Sequence, residues 1–211
     1  MKRFIAAALV ILTSLQLSAQ GPFSNKEYDG GNQPRETYMK GAIPDVDGKL
    51  EFTKTFDISG MSKEDAYMRL AQWASYRYNP SAESGTFGNM DYFKNTEYAH
   101  VSKADKENGE IEVLGNEEMV FVNRALSKDY CIAYYNVILK ISEANVTATI
   151  TNIAYTYDLG DTTERYAAED WITDGIAFNK KGNLAKVNGK FRVKTIDLKD
   201  ELFKEIGESL K

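Results

Sequence analysis

The sequence has very little of what disulfides, metal centres and nucleophilic catalysis require. Among 211 residues there is one cysteine, Cys131, and one histidine, His100. A single cysteine excludes an internal disulfide, and a single histidine removes most metal sites and most Ser-His or Cys-His catalytic arrangements. Gly-x-Gly-x-x-Gly, phosphate-loop and Gly-x-Ser-x-Gly patterns are missing too. The sequence therefore predicts no catalytic, cofactor-binding or metal-ligating residue, and no cofactor.

An excess of basic residues is also lacking. The chain has 26 Lys and Arg against 31 Asp and Glu, a formal net charge of −5 at pH 7. Proteins that bind nucleic acid usually carry a basic stripe or patch that faces the phosphates. The charge balance therefore disfavours a nucleic-acid partner.

Residues 1–19 have the order of a secretory signal peptide. Lys2 and Arg3 are followed by an apolar run over residues 4–12, and then by small and polar residues that end at Ala19. The apolar run is shorter than the ~20 residues of a membrane span, which favours cleavage over an uncleaved anchor. We predict cleavage near Ala19, a periplasmic or secreted protein, and no membrane span in the mature chain.

Composition divides the remainder into a short segment and one domain. Residues 20–48 are rich in Gly, Asn, Pro and charge without helical or strand periodicity, which predicts a flexible N-terminal segment. Residues 49–211 carry periodic apolar patterns and no internal linker. They are long enough to bury one sizeable core, so we predict a single α+β domain.

The periodic patterns give the order β-α-β-β-β-β-α. Apolar and polar residues alternate over 50–58, and Ser62 begins a helix that ends before Pro80. Strands follow, two of them joined as a hairpin at 143–145, and a terminal helix is predicted over 197–210. Asp161 or Thr162 could begin a further helix that buries Trp171. Together these features predict a single antiparallel sheet of about five strands with helices on one face.

Five strings of the sequence occur in a distinctive order. They are Ile43–Lys49, Ser59–Lys63, Glu164–Asp174, Gly189–Arg192 and Thr195–Asp197. In this order they resemble an exported bacterial family called domain of unknown function 4468. The resemblance covers roughly residues 43 to 206, and it implies a fold like the sheet-and-helix half of the TATA-binding protein. It implies no activity, because none is assigned to the family, and the fold name carries no DNA-binding role.

Acidic residues cluster between positions 158 and 174. A pair of carboxylates with separated pKa values could hydrolyse a glycosidic bond, which makes a carboxylate-based glycan hydrolase the alternative function. Acidic residues near a helix start, or on a solvated face, are the more ordinary interpretation. The cluster consists of Asp158, Asp161, Glu164, Glu169, Asp170 and Asp174.

The sheet face opposite the helices is the candidate interaction surface. Alternation along two neighbouring strands groups tyrosines with residues that can make hydrogen bonds, and a loop over 80–96 could add two aromatic rings. Cross-strand pairing that only stabilises the sheet is the competing interpretation. We predict a non-catalytic binding or protein-interaction module for a protein, peptide or glycan of the cell envelope. The face comprises Tyr134, Asn136, Thr149, Thr151, Ile153, Tyr155 and Tyr157, with Tyr92 and Phe93 from the loop.

Overall fold

A computed structural model of the chain describes residues 31–78, 93–95, 98–125, 127–158 and 162–211. The predicted signal peptide and Tyr92 lie outside these residues. Within them, seven strands form one antiparallel sheet with two α-helices packed on one face. The predicted α+β class, the single antiparallel sheet and the position of the helices are therefore confirmed.

The elements follow one another in nearly the predicted order. A 3₁₀ turn (Arg35–Tyr38) and a small hairpin of β1 (Asp45–Val46) and β2 (Lys49–Leu50) precede the sheet. Its central row is β3-β8-β7-β6-β4, with β5 also paired to β6 and β9 to β8. The other bounds are β3 (Phe52–Asp57), α1 (Lys63–Arg77), β4 (Phe93–Asn95), β5 (His100–Asp105), β6 (Glu110–Arg124), β7 (Ser127–Ile141), β8 (Asn145–Asp158), β9 (Thr163–Ala167) and α2 (Asn188–Ser209).

Helix α1 begins where its sequence predicts. Ser62 Oγ accepts a hydrogen bond of 3.0 Å from the backbone N–H of Asp65, which satisfies one of the free donors in the first turn. Leu70 and Ala74 lie one turn apart, and both are fully buried against the sheet. The cap and this apolar stripe together fix the start and the orientation of the helix.

Helix α2 begins at Asn188, well before the predicted start near Asp197. Its residues 189–198 are all buried, so this part of the helix has no solvent-facing side and no apolar stripe to detect. Asn188-Gly189, a turn signal in the sequence, is the first turn of this helix. Gly189 fits there because a Cβ atom would lie 2.9 Å from Cβ of Leu184.

The helix predicted from Thr162 does not form. Residues 163–167 are instead strand β9, which pairs antiparallel with the end of β8. Trp171 lies in the turns that follow, where it is partly buried and its ring stacks on Tyr166 with centroids 4.0 Å apart. Residues 163–167 are extended because they pair with β8. The local sequence does not identify this pairing partner.

Part of the segment over 31–48 packs against the domain, although composition predicted flexibility for residues 20–48. Tyr38 is 2% exposed. The guanidinium of Arg192 donates to the carbonyls of Tyr38 (2.7 Å) and Met39 (2.6 Å), and also to the carbonyl of Ile172 (2.9 Å). These bonds connect the N-terminal segment to α2. Because the bonding partner lies far away in the chain, the sequence of the segment itself shows no periodic pattern that would predict the contact.

The core lies between the sheet and the two helices. Every second residue of β7 from Cys131 to Ile141 is buried, and so are Val146, Ala148 and Ile150 of β8. Phe191 of α2 packs edge-on against Tyr155, with ring centroids 5.0 Å apart. In the described part of the chain, neither helix is long and apolar enough to cross a membrane.

Candidate functional site

The face of the sheet that points away from α1 and α2 is called here the open face. Its members alternate with the buried residues of each strand, and the strand registers place them beside one another. Most are partly or fully exposed. They are Thr53, Thr55, Glu112, Leu114, Tyr134, Asn136, Ile138, Thr147, Thr149, Thr151, Thr156 and Arg165.

A β-bulge in β8 changes which residues reach the open face. Asn136 pairs with Thr151, but Tyr134 pairs with Ala154, so the residue between them on β7 faces two residues of β8. Asn152, one of the two, has a positive φ of 54°. One extra residue reverses the alternation beyond it, because side-chain direction along a strand has a period of two.

Four of the predicted site residues consequently share the open face, and three do not. Tyr134, Asn136, Thr149 and Thr151 lie there. Ile153, Tyr155 and Tyr157 follow the bulge and point toward the helices, so their assignment to the predicted surface was wrong. An alternating sequence pattern does not show the extra residue of the bulge, so it places the residues beyond the bulge on the wrong face.

The two displaced tyrosines have structural partners. Tyr155 is fully buried, and its hydroxyl lies 2.6 Å from Oγ1 of Thr195. The hydroxyl of Tyr157 donates to Asp129 (2.9 Å) and accepts from Nζ of Lys190 (2.7 Å). Burial raises the pKa of both phenols, so both stay neutral and act as hydrogen-bonding core residues.

The open face carries a cation–aromatic pair. The guanidinium carbon of Arg165 on β9 lies 4.6 Å from the ring centre of Tyr134 on β7. Nearby, Nδ2 of Asn136 donates to Glu112 (3.1 Å). Arg165 and Glu112 were not among the predicted site residues, because their places depend on the β8–β9 and β6–β7 registers.

The edge of the open face on β3 carries paired hydroxyls. Thr53 Oγ1 lies 3.2 Å from Thr149 Oγ1, and Thr55 pairs with Thr147 in the same register. Thr151 donates to Glu51 at 3.3 Å. A threonine hydroxyl both donates and accepts, so these rows can bond to either kind of polar group on a partner.

Two aromatic residues, Tyr92 and Phe93, were predicted to join the open face from the 80–96 loop. Tyr92 lies outside the described residues. Phe93 lies in β4, where it pairs with Met119 in the backbone register. The structure therefore assigns neither residue to the open face.

Three of the acidic residues over 158–174 accept structural hydrogen bonds. Glu164 accepts from the Tyr166 hydroxyl at 2.8 Å, and Glu169 accepts from the backbone N–H of Leu50 at 3.0 Å. Asp174 accepts from the N–H of Gly41 at 2.7 Å and pairs with Arg192. Asp161 lies outside the described residues. Three members of the cluster are thus engaged in different structural contacts.

A second group of carboxylates, which sequence reasoning missed, is buried between the helices and the sheet. Arg77 Nη2 lies 2.8 Å from Glu117 Oε1, and Arg77 Nε lies 3.1 Å from Glu205 Oε2. The Tyr135 hydroxyl also donates to Glu117. Burial raises the pKa of Glu205. These residues come from α1, β6, β7 and α2, so no local sequence motif predicts the cluster.

The single cysteine is buried, and the single histidine contacts a backbone carbonyl. Cys131 is 1% exposed, and burial raises the pKa of its thiol. His100 Nδ1 lies 2.8 Å from the carbonyl oxygen of Tyr98. Among the described residues, no group of three or more His, Cys, Asp or Glu side chains is arranged to hold a metal ion.

Comparison with known proteins finds relatives of the same architecture. Residues 52–156 match the model of a family described as a domain of unknown function (DUF4468) with TBP-like fold. A DUF4468 family protein from Bacteroides ovatus is 30% identical, with a TM-score of 0.71 over 84% of this chain and 95% of its own. A TBP-like protein from Parabacteroides distasonis is 20% identical, with a TM-score of 0.57 over 80% of this chain and 96% of its own, and shows the fold alone. No curated protein matches the sequence.

Proposed function

The chain belongs to the DUF4468 family, whose function is unknown, and from that premise we propose that it is an exported, non-catalytic binding module. The open face is its binding surface. The partner is a polar molecule of the cell envelope, such as a glycan, a peptide or a protein surface.

The observation that carries this proposal is the contact between Tyr134 and Arg165 on the open face. Tyrosine and arginine are enriched among the residues that dominate binding energy, because each offers a large rigid surface together with polar atoms. Arg165 is exposed and Tyr134 is partly exposed. Both groups are held in place before a partner arrives, which lowers the entropy lost on binding.

The surroundings of this pair define what it can recognise. Threonine hydroxyls occupy the β3–β8 side of the open face, and the Asn136–Glu112 pair lies beside Tyr134. Such a surface has many polar atoms and few large apolar ones. It suits a partner with its own donors and acceptors better than a lipid or an apolar helix.

The alternative, a carboxylate-based glycan hydrolase, has no comparable support among the described residues. Glycoside hydrolysis needs two carboxyl groups placed about 5–10 Å apart around the scissile bond. The carboxylates of Glu169 and Asp174 are committed to backbone N–H groups, and Glu117 is fully buried.

A capture experiment with matched variants tests the proposal. Immobilised mature protein is incubated with the native envelope fraction and with a glycan array. We expect a ligand that is retained by the wild type and by Met68→Ala, which alters the exposed side of α1. The double variant Tyr134→Ala/Arg165→Ala should retain much less of that ligand.

The comparison has a clear negative outcome. Equal retention by the double variant, with an unchanged urea midpoint for all three proteins, would show that the open face does not bind the captured ligand. Loss of the same ligand from Met68→Ala would move the binding surface to the helical side.

A further inference from the structure

Strand β3 forms one edge of the sheet. Among the described residues it pairs with β8 alone, so its other side faces no strand. Thr53, Lys54 and Thr55 are exposed along this strand. An unpaired edge presents a row of backbone N–H and C=O groups, and another extended chain can pair with them.

The hydrogen bond that continues the β3–β8 ladder shows which backbone groups of the edge point outward. Ile58 N–H donates to the carbonyl of Ala144 at 2.9 Å. Bonded and non-bonded residue pairs alternate along an antiparallel ladder, so every second residue before Ile58 bonds to β8. The N–H and C=O groups that point away from β8 are therefore those of Thr53, Thr55 and Asp57.

A cleft of about 560 Å³ lies beside this edge, between β3 and α2. Phe52 of β3 and Phe203 of α2 line it with rings that are 5% and 6% exposed. Lys54 also lines the cleft, and its ammonium nitrogen lies 5.1 Å from the ring centre of Phe56 and 5.9 Å from that of Phe203. A chain paired with β3 would direct every second side chain to the helical side of the sheet, where the cleft lies.

The charges that line the cleft leave one cation without an opposite charge. They are Glu51, Lys54, Lys199 and Asp200. Lys199 pairs with Asp200 at 2.5 Å, and Glu51 accepts a hydrogen bond from Thr151 on the open face at 3.3 Å. Lys54 has no ion-pair partner in the described part of the chain. A carboxylate from outside could therefore pair with Lys54 without displacing an existing contact.

We propose that the β3 edge binds an extended polypeptide segment by strand addition, with an acidic side chain opposite Lys54. The backbone of the segment exchanges hydrogen bonds with the outward groups of Thr53 and Thr55. Its acidic side chain enters the cleft and meets the Lys54 ammonium group. In this mode of recognition the backbone bonds supply affinity, and the alternate side chains supply specificity.

A second copy of this chain matches the edge less well. The residues that its own β3 would direct to the helical side are Phe52, Lys54 and Phe56, and none of them is acidic. Pairing between two β3 strands would therefore bring a second ammonium group to the edge and no carboxylate. Like charges on adjacent strands are unfavourable, so the charge favours a different polypeptide as the partner.

The test is a titration of the full mature protein with the peptide Ac-TVTETV-NH2, followed by NMR. In antiparallel register its glutamate lies opposite Lys54 and its middle threonine lies opposite Thr55. We expect saturable shifts, together with slower hydrogen exchange of the N–H groups of Thr53 and Thr55, because the peptide covers them. The N–H groups of Lys54 and Phe56 already bond to β8, so their exchange should change little.

Matched peptides separate strand addition from other modes of binding. N-methylation of the middle threonine removes the N–H that bonds to Thr55 and should abolish saturable binding. N-methylation of the glutamate, whose N–H points away from β3, should leave the binding in place. Ac-TVTKTV-NH2 should bind about two- to fivefold more weakly, the effect of one exposed ion pair. Lys54→Glu should reverse the order of the two unmethylated peptides.

Two proline variants test the edge within the protein. Thr55→Pro removes an outward N–H and no bond to β8, and proline is tolerated on edge strands for this reason. It should fold and lose the peptide. Thr163→Pro, at the exposed first residue of β9, is the matched control and should bind the peptide normally. Tyr134→Ala/Arg165→Ala should also bind it normally, so failure of the open-face proposal would leave this result intact.

Three outcomes would overturn the proposal. One is the lack of saturable binding of Ac-TVTETV-NH2 to the wild type. Another is equal binding of the peptide methylated at its middle threonine, a comparison that stays decisive even if Thr55→Pro does not fold. The third is a wild-type dimer in sedimentation experiments that Thr55→Pro abolishes, because a second copy would then occupy the edge.

Discussion

The hydroxyl of Tyr38 donates a hydrogen bond of 2.6 Å to Oδ1 of Asp197, across 159 positions of the chain. Asp197 lies on α2 and also accepts from the backbone N–H of Asn32 (3.3 Å) and from Gln33 Nε2 (3.4 Å). One carboxylate therefore holds three residues of the N-terminal segment. Burial raises the pKa of Tyr38, so its phenol remains protonated and able to donate.

Replacement of Tyr38 by Phe should lower the free energy of unfolding by about 1.5–3 kcal/mol, the usual worth of a hydrogen bond to a charged group. Urea unfolding measures the change. Tyr76→Phe is the matched control, because Tyr76 is 57% exposed, and a surface change of this kind stays within about 0.5 kcal/mol. Equal midpoints for the two variants would contradict the role of the Tyr38–Asp197 bond.

Replacement of Arg77 should lower the free energy of unfolding more than Tyr38→Phe does. Arg77→Leu leaves the buried carboxylates of Glu117 and Glu205 without their cation, which typically costs about 3–5 kcal/mol. The triple variant Arg77→Leu/Glu117→Gln/Glu205→Gln removes the charges together, and we expect it to regain part of the loss. Thermal unfolding compares the two. A single variant as stable as the wild type would show that the cluster is not electrostatically coupled.

Glu201 should make stability depend on pH. Burial, and then the charge of Glu205, raise the pKa of Glu201 from 4.5 to about 7. Between these values the native state binds a proton that the unfolded state does not, so this group lowers stability as the pH rises through that window. The urea midpoint of Glu201→Gln should therefore equal that of the wild type near pH 5 and be higher than that of the wild type near pH 8. Glu208→Gln, on the exposed side of α2, should show no such divergence.

Substitution of Trp171 tests whether this tryptophan stabilises the fold. Its ring stacks on Tyr166 at 4.0 Å and meets Phe191 edge-on at 5.8 Å, while its buried Nε1 has no hydrogen-bond partner among the described residues. Trp171→Ala should destabilise the fold by about 2–4 kcal/mol, somewhat below the range for a fully buried tryptophan. Trp171→Phe loses no hydrogen bond and should cost less than about 1.5 kcal/mol. Urea unfolding at constant slope distinguishes these values; an unchanged midpoint for Trp171→Ala would make the indole a binding candidate.

Export is the remaining prediction. Lys2, Arg3 and the apolar run after them should direct the chain out of the cytoplasm and be removed. N-terminal sequencing of the mature protein should then begin near Gln20. A cytoplasmic protein with an intact Met1 would contradict both the localisation and the envelope partner.

Local patterns predicted most of the fold. Ser62 at the start of α1, the alternation along β7 and the short turn before Asn145 are each decided by neighbours in the sequence, and each is found as predicted. The first half of α2 was missed because Lys190, Arg192 and Lys194 interrupt its apolar pattern. All three cations are buried, and Lys190 and Arg192 are held by partners from distant segments, which only the tertiary structure supplies.

The candidate site was predicted in part for the same reason. Tyr134 and Asn136 lie on either side of the residue of β7 that faces the bulge, and β7 itself is regular, so alternation placed both on the open face. Tyr155 and Tyr157 lie beyond Asn152, where one additional residue reverses the direction of every side chain. The bulge is defined by pairing between strands, and the alternating sequence of β8 gives no sign of it.

Arg192 has a consequence for how the chain tolerates substitution. Three of its donors end on backbone carbonyls, those of Tyr38, Met39 and Ile172. A carbonyl is present whatever side chain the residue carries, so position 39 can change identity without losing its bond to the guanidinium. Lysine at 192 has one nitrogen and could not span the separate segments. These three bonds therefore depend on the side chain at position 192 and not on the side chains of the residues whose carbonyls accept them.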